Sequence, residues 1–451
     1  MIALGLCILA FGMTRWAGKR SLGSGLVSLL LWGYLYGILR ANLDSVFSHF
    51  LFDSALIGFY LAQKKAFTDP ADARRTAALR YWTLGLMIWP ALLLFLPFQP
   101  ILVSLVGLRG CIFFIPMALL GSRLKSEDLM QLCTGLVCLN LLSLAFAAGE
   151  YFQGIERYYP YSAVTAIIYG SNDVAGGFFR IPGTFAHAHQ YGGTMSASIP
   201  YLVGGWTEGL TRKARVLSVV GIGAAFLGIL MSATRQNFIL AAVMVLVVVG
   251  GTRMKTNRRV LFIVLIVGLV GVALTNERFQ RFKSLGDTDY VGDRISSSVN
   301  RSFFEILFDY PMGNGLGGGG TSLPYFLEGQ VRNPIGMENE YARILCEQGV
   351  IGFLLWLGFI VWYLSQVRKI FGKSPWASSR RLVFTYCLIT LGIGTIGEGM
   401  LTAIPASAML LLGMGWTSTA MRAEDARRRP VRRPSQVVPQ PAWPAHAHYS
   451  G

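Results

Sequence analysis

The run FLLWLGFIVWYL, residues 353–364, is apolar at nearly every position, and runs of this kind recur along most of the chain. A bilayer crossing takes about 20 apolar residues, because the hydrocarbon layer is about 30 Å thick. Inside lipid every backbone polar group must be satisfied within the segment, so a single-segment crossing is a helix. Candidate spans lie near 1–14, 24–40, 49–63, 82–97, 99–121, 128–148, 189–206, 215–232, 236–251, 258–275, 349–367, 383–397 and 402–420, which makes 12 or 13 because the first is short. Only 14% of the residues are charged, against about 25% in a soluble domain. The predicted fold is an all-α, polytopic transmembrane bundle, and length is no guide to a number of soluble domains. The first run leads into further spans with no small-residue cleavage site, so a cleavable signal peptide is not expected. The six cysteines form no CxxC pair and read as small buried hydrophobes.

The net charge of +17 raises the question of nucleic acid. The placement of the charges answers it. Basic clusters at 15–20, 64–80, 123–125, 212–215, 253–259, 368–381 and 422–433 occupy alternate connections and hold most of the 40 Lys and Arg residues. The positive-inside rule puts these connections in the cytoplasm. The charge is mainly a topology signal, its partner is membrane lipid, anionic lipid above all, and no nucleic acid is expected. Two long loops, 149–188 and 276–348, then face outward, with the tight turns SATRQN (232–237) and GEG (397–399). Three regions follow: N-terminal spans 1–127, a core 128–420 and a basic, proline-rich cytoplasmic tail 421–451, which reads as disordered.

Arginine on the outer side runs against that rule, so each one there needs a reason. Arg180 precedes the turn-forming Pro182-Gly183, and Arg235 sits between two apolar runs with barely a turn around it. Each reads either as a side chain snorkelling to the headgroups or as an anion clamp, since guanidinium donors match phosphate bidentately. Arg294 and Arg301 are seven apart and share a face if helical; the alternative is a solvated loop. His187 and His189, with no nearby Cys or Asp, read as a hydrogen-bonded loop pair rather than a metal site. The glycine-rich stretch YPMGNGLGGGGTS (310–322) lacks a Walker lysine and reads as a hinge. In GMENEYARILCEQGVIG (336–352), Asn339 can cap the incoming helix, Glu340 suits its dipole, and Arg343 and Glu347 can pair at i,i+4 for a few tenths of a kcal/mol. Glu338 has no such structural task and is the candidate base, with Glu398 in reserve. Ionisable residues are scarce within the spans, which favours chemistry at the outer surface over transport through the middle.

Four stretches, RIPGTFAHAHQYGG, MSATRQNF, RSFFEILFDYPMGNGLGGG and ENEYARILCEQGVIG, together resemble the O-antigen ligase and O-antigen polymerase superfamily of bacterial membrane proteins over roughly 128–420. Family ligases carry a histidine, a polar residue, nine residues and Gly-x-x-Gly. Here Asn339 is followed by nine residues and Gly349-Val-Ile-Gly352, and Glu338 stands at the histidine position. The resemblance implies a GT-C-like bundle in the bacterial inner membrane with a large periplasmic loop. It implies transfer of a glycan from a polyprenyl-diphosphate carrier to an acceptor, without cofactor or metal. Arg180, Arg235 and, by looser alignment, Arg294 or Arg301 would hold the diphosphate, and Glu338 would be the base, supported by Asn339, His187, His189 and Glu398. Absence of the ligase histidine favours a polymerase; a ligase with another acceptor and, from another class, a glycan or lipid exporter are the alternatives.

Overall fold

The computed structural model describes residues 1–43, 45–64, 75–170, 179–209, 211–251, 268, 271, 303–319, 323–335, 337, 339–371, 376–397 and 399–419, with backbone alone at 248–251. Helix is the only regular structure extending through these residues, with no strand among them. Six helical stretches are long and apolar enough to cross a membrane: Ile2–Arg20, Leu22–Asn42, Ile101–Gly121, Ser126–Gln153, Arg212–Met231 and Glu340–Ile370. Further helices at Leu51–Ala62, Ala77–Leu93, Ala188–Glu208, Arg235–Gly251, Ala377–Ile393 and Ala406–Ser418 fill in the bundle. The protein is a polytopic helical membrane protein. The expected span near 258–275 and the tail from 421 lie outside the described residues, apart from positions 268 and 271.

Two expected boundaries move. The first span is not short, since its helix runs over Ile2–Arg20. The span expected at 349–367 belongs to a helix that starts nine residues earlier, at Glu340. Its polar first turns are buried in protein rather than lipid, where partners offset the cost of charge.

Ile2–Arg20 packs on Leu51–Ala62 and Leu22–Asn42, and Ala188–Glu208 packs on Arg212–Met231, Ser126–Gln153 and Ala377–Ile393. One continuous core runs from Cys7 to Trp416. Within it Tyr34 Oη donates to Asn140 Oδ1 (2.7 Å), and Asn140 Nδ2 donates to Ser198 Oγ (2.9 Å), tying three helices together. Five cysteines are buried as expected, but Cys138 is exposed, and all six are free thiols.

The Glu340–Ser365 helix is broken at Gly349, whose φ of 66° lies where only glycine is comfortable. The glycine-rich stretch docks on this break. Val350 N–H donates to Pro311 O (2.9 Å), Asn314 N–H to Cys346 O (2.6 Å) and Trp89 Nε1–H to Gln348 O (2.9 Å). The groups freed by the kink are re-satisfied inside the protein, as membrane depth requires.

Candidate active site

Asn339 caps the Glu340–Ser365 helix, its Oδ1 accepting from Ala342 N–H at 2.6 Å. The next residue does more than favour the dipole. The Glu340 N–H donates to the carbonyls of Gly394 (2.9 Å) and Gly397 (3.2 Å). Its Oε2 accepts from the N–H groups of Gly399 (2.8 Å) and Met400 (3.2 Å), and its Oε1 accepts Arg343 Nε–H at 3.0 Å together with a second bond from Nη2. Arg343 Nη1 donates to Glu347 Oε2 at 2.7 Å. The expected i,i+4 pair forms, but as part of a triad with exposures of 0–1%. In that setting it is no surface pair: losing one partner strands a buried charge. Glu340 thereby fastens the 394–400 turn to the helix start.

The 232–237 hairpin lies beside that turn, with Gly397 against the Gln236 side chain. Arg235 opens the helix Arg235–Gly251. Ser232 Oγ and Thr234 Oγ1 share a hydrogen bond (2.9 Å), and Asn237 Nδ2 donates to Thr234 Oγ1 (3.0 Å) and to His189 O (3.4 Å). The hairpin thus abuts the start of Ala188–Glu208. There Arg180 Nη1 meets His189 Nε2 at 3.0 Å. Arginine can only donate, so His189 accepts through Nε2 and is the neutral tautomer with its proton on Nδ1.

His187 is the N-cap residue of Ala188–Glu208 but makes no cap bond with its side chain. Its ring stands edge-on to His189, centroids 6.3 Å apart. The two are not bonded to each other as a loop pair; His189 is taken by Arg180 and lies within the helix. Burial first, then neighbouring His189 and Arg40, push the His187 imidazole down to about 3. Solvent reaches part of the ring and tempers this shift without reversing it, so His187 is neutral at pH 7.

The Pro182-Gly183 turn forms, with Phe185 N–H donating to Pro182 O at 3.1 Å. Glu150 and the end of the Leu22–Asn42 helix, which carries Arg40, hold it; sequence reasoning passed over both residues. Fully buried Glu150 accepts from Gly183 N–H at 3.0 Å through Oε2, and its Oε1 has no partner among the described residues. Arg40 closes the Leu22–Asn42 helix beside the same turn: Ile38 N–H donates to Thr184 O (3.0 Å), and Gly37 lies so close that an added Cβ would sit 1.9 Å from the Phe185 carbonyl carbon. The Arg40 guanidinium stands 6.0 Å over the Tyr36 ring, and its buried Nε lacks a hydrogen-bond partner among the described residues. The one available signal for Arg40 was an arginine at the outward end of an apolar run. Asp53 and Arg109 were also missed; they pair bidentately at 2.6 and 2.9 Å. Ionisable residues inside the helices are therefore more numerous than expected.

Consecutive contacts thus link the segments that carry Arg180, His187, His189, Arg235 and Asn339, and the helix end that carries Arg40 abuts the 184–186 backbone beside them. Glu338, Glu398, Arg294 and Arg301 lie outside the described residues.

Fold and contacts define a multi-pass helical membrane protein in which the stretches carrying Arg180, Arg235 and Asn339 abut one another. A family model described as O-Antigen ligase matches residues 220–357, which supports the O-antigen ligase and polymerase superfamily for this chain. The matched region contains Arg235, Arg294, Arg301, Glu338 and Asn339 but neither Arg180 nor the two histidines. No curated protein matches the chain. The match supports an O-antigen ligase or polymerase type of function, hence a membrane glycosyltransferase-like enzyme with lipid-linked glycan and membrane lipid as partners.

Proposed function

We propose that this chain is a surface-polysaccharide polymerase of a bacterial inner membrane. It transfers a glycan from a polyprenyl-diphosphate carrier to a sugar hydroxyl at the periplasmic face. The observation that supports this reading is the contact path from Arg180, through His189, Asn237 and the 232–237 hairpin, to Glu340 and Asn339, with the end of the Leu22–Asn42 helix that carries Arg40 against the 184–186 backbone beside it. It brings the stretches of sequence that carry Arg180 and Arg235 against the segment that follows Glu338.

As the anomeric C–O bond breaks, negative charge grows on the leaving diphosphate. Arg180, Arg235 and Arg40 stabilise it, with Arg294 or Arg301 from the large loop; one preorganised donor of this kind is worth about 2.7–4 kcal/mol. Glu338 takes the proton of the attacking hydroxyl, a contribution of about 10²–10⁴-fold, and Glu398 is the reserve base. His189, neutral and bonded to Arg180, fixes that guanidinium. A single displacement inverts the anomeric centre.

The test is incubation of purified protein with a polyprenyl-diphosphate oligosaccharide, product length being read on a gel. A ladder of lengths is expected, lost in Arg235→Ala and in Glu338→Ala at normal membrane expression. A single transfer onto a lipid acceptor assigns a ligase instead. No turnover by the wild type removes the enzyme reading and leaves an exporter. Full-length ladders from both variants overturn the residue roles.

A further inference from the structure

Residues 155–169 form a compact unit on the end of the Leu22–Asn42 helix, with Ile155, Tyr159 and Ile168 packed against Ile38 and Ala41. Its hydrogen bonds make it rigid. Asn42 Nδ2 donates to Tyr158 O (2.8 Å), Thr165 Oγ1 donates to Pro160 O (2.7 Å) and Tyr169 Oη donates to Tyr159 O. The Tyr159 hydroxyl is shared between the carbonyls of Gly183 (2.7 Å) and Phe185 (2.8 Å). The unit and the turn that follows Arg180 are therefore one framework.

On that framework three aromatic rings form a ladder. Tyr161 meets Tyr169 at 5.2 Å between centroids, and Tyr169 meets Phe179 edge-on at 5.5 Å. Phe179 is the residue before Arg180. The outermost ring, Tyr161, is 79% exposed, and Tyr169 and Phe179 are partly so. A ring this exposed contributes little to the core, yet its neighbours hold it in place.

We infer that the Tyr161–Tyr169–Phe179 ladder is the subsite for the sugar residues of the lipid-linked glycan. Pyranose rings stack by their apolar C–H faces on the aromatic rings, and tyrosine adds a hydroxyl at the rim. The order of chemistry along the framework matches the donor, with the charged end at Arg180 and Arg40 and the aromatic path leading away from it. This rests on the function proposed above, because continuity with the arginines selects a glycan bearing a diphosphate. The competing occupant is the membrane surface, where tyrosines also gather.

The experiment uses the full chain in nanodiscs. With the polyprenyl-diphosphate oligosaccharide as donor, Tyr161→Ala is expected to raise KM about tenfold, equivalent to about 1.4 kcal/mol, with kcat nearly unchanged. Tyr161→Phe keeps the stacking face and stays near the wild type. Inhibition by bare polyprenyl diphosphate should be the same in all three proteins. An unchanged KM in Tyr161→Ala, or equal weakening of the bare carrier, overturns the subsite and favours lipid contact. Binding is also read without turnover, by saturation transfer from the protein to the same oligosaccharide freed of lipid. Transfer that is lost in Tyr161→Ala sustains the ladder even if the transferase reading fails; no transfer to the wild type ends it.

Discussion

Replacing Glu340 by alanine tests whether the buried clasp organises the site. The carboxylate, at 0% exposure, takes two backbone N–H groups of the 394–400 turn and two bonds from the buried Arg343. Its loss leaves Arg343 paired with Glu347 alone and orphans two amides. Breaking a buried pair costs about 3–5 kcal/mol, and each stranded N–H about 1–3 kcal/mol. Water entering beside the turn recovers part of this, so about 4–6 kcal/mol is expected for Glu340→Ala on those two scales. Glu340→Gln keeps an acceptor for the turn and loses only the charge, so it should fall about halfway. Denaturant titration in detergent measures the loss, and the glycan-transfer assay beside it should show kcat falling more than KM rises, since the clasp fixes the reacting segments rather than the glycan. A Glu340→Ala protein with wild-type midpoint and activity would refute the reasoning.

Gly37→Val would place its Cβ against the Phe185–Ala186 backbone, so glycan transfer should fall at least about tenfold, a barrier rise of about 1.4 kcal/mol, in a protein that still inserts and folds; full activity would show that the turn beside Arg40 is free to move. Asn140→Leu strands the Tyr34 hydroxyl between helices and should cost about 1–2 kcal/mol by denaturant titration, with no loss expected if water replaces the amide. His187 is held below its ordinary value of 6.5, at about 3, so the unfolded chain binds its proton first. Its contribution is complete above pH 6.5 and is lost as pH falls toward 3, amounting to about 1–2 kcal/mol by pH 5 once solvent access is allowed for. His187→Gln should flatten that part of the stability profile, and an unaltered profile would assign it to other groups.

The bundle was legible because one rule dominates a membrane chain: apolar length decides where helices lie. That rule fails where protein replaces lipid as the solvent. It placed a helix start near 349, while the Glu340, Arg343 and Glu347 side chains satisfy one another and allow the helix to begin at Glu340. The same failure hid Asp53 and Arg109, whose bidentate pairing makes charge within an apolar run tolerable.

The site was half legible for a related reason. Arg180 and Arg235 stood out because they break the charge asymmetry of the loops, and the structure links both to the Asn339 segment. Arg40 breaks the same asymmetry yet ends an apolar run, where a snorkelling arginine is ordinary. What separates it from that bland role is its neighbour. Gly37, one turn earlier, brings the helix end against the Phe185–Ala186 backbone, so the guanidinium stands near His187 and keeps a buried Nε with no partner among the described residues. A snorkelling arginine would lose nothing on replacement by lysine, which also reaches the headgroups. A phosphate-binding arginine would lose its fork of donors. Arg40→Lys should therefore weaken inhibition by bare polyprenyl diphosphate, while leaving the stability of the bundle unchanged.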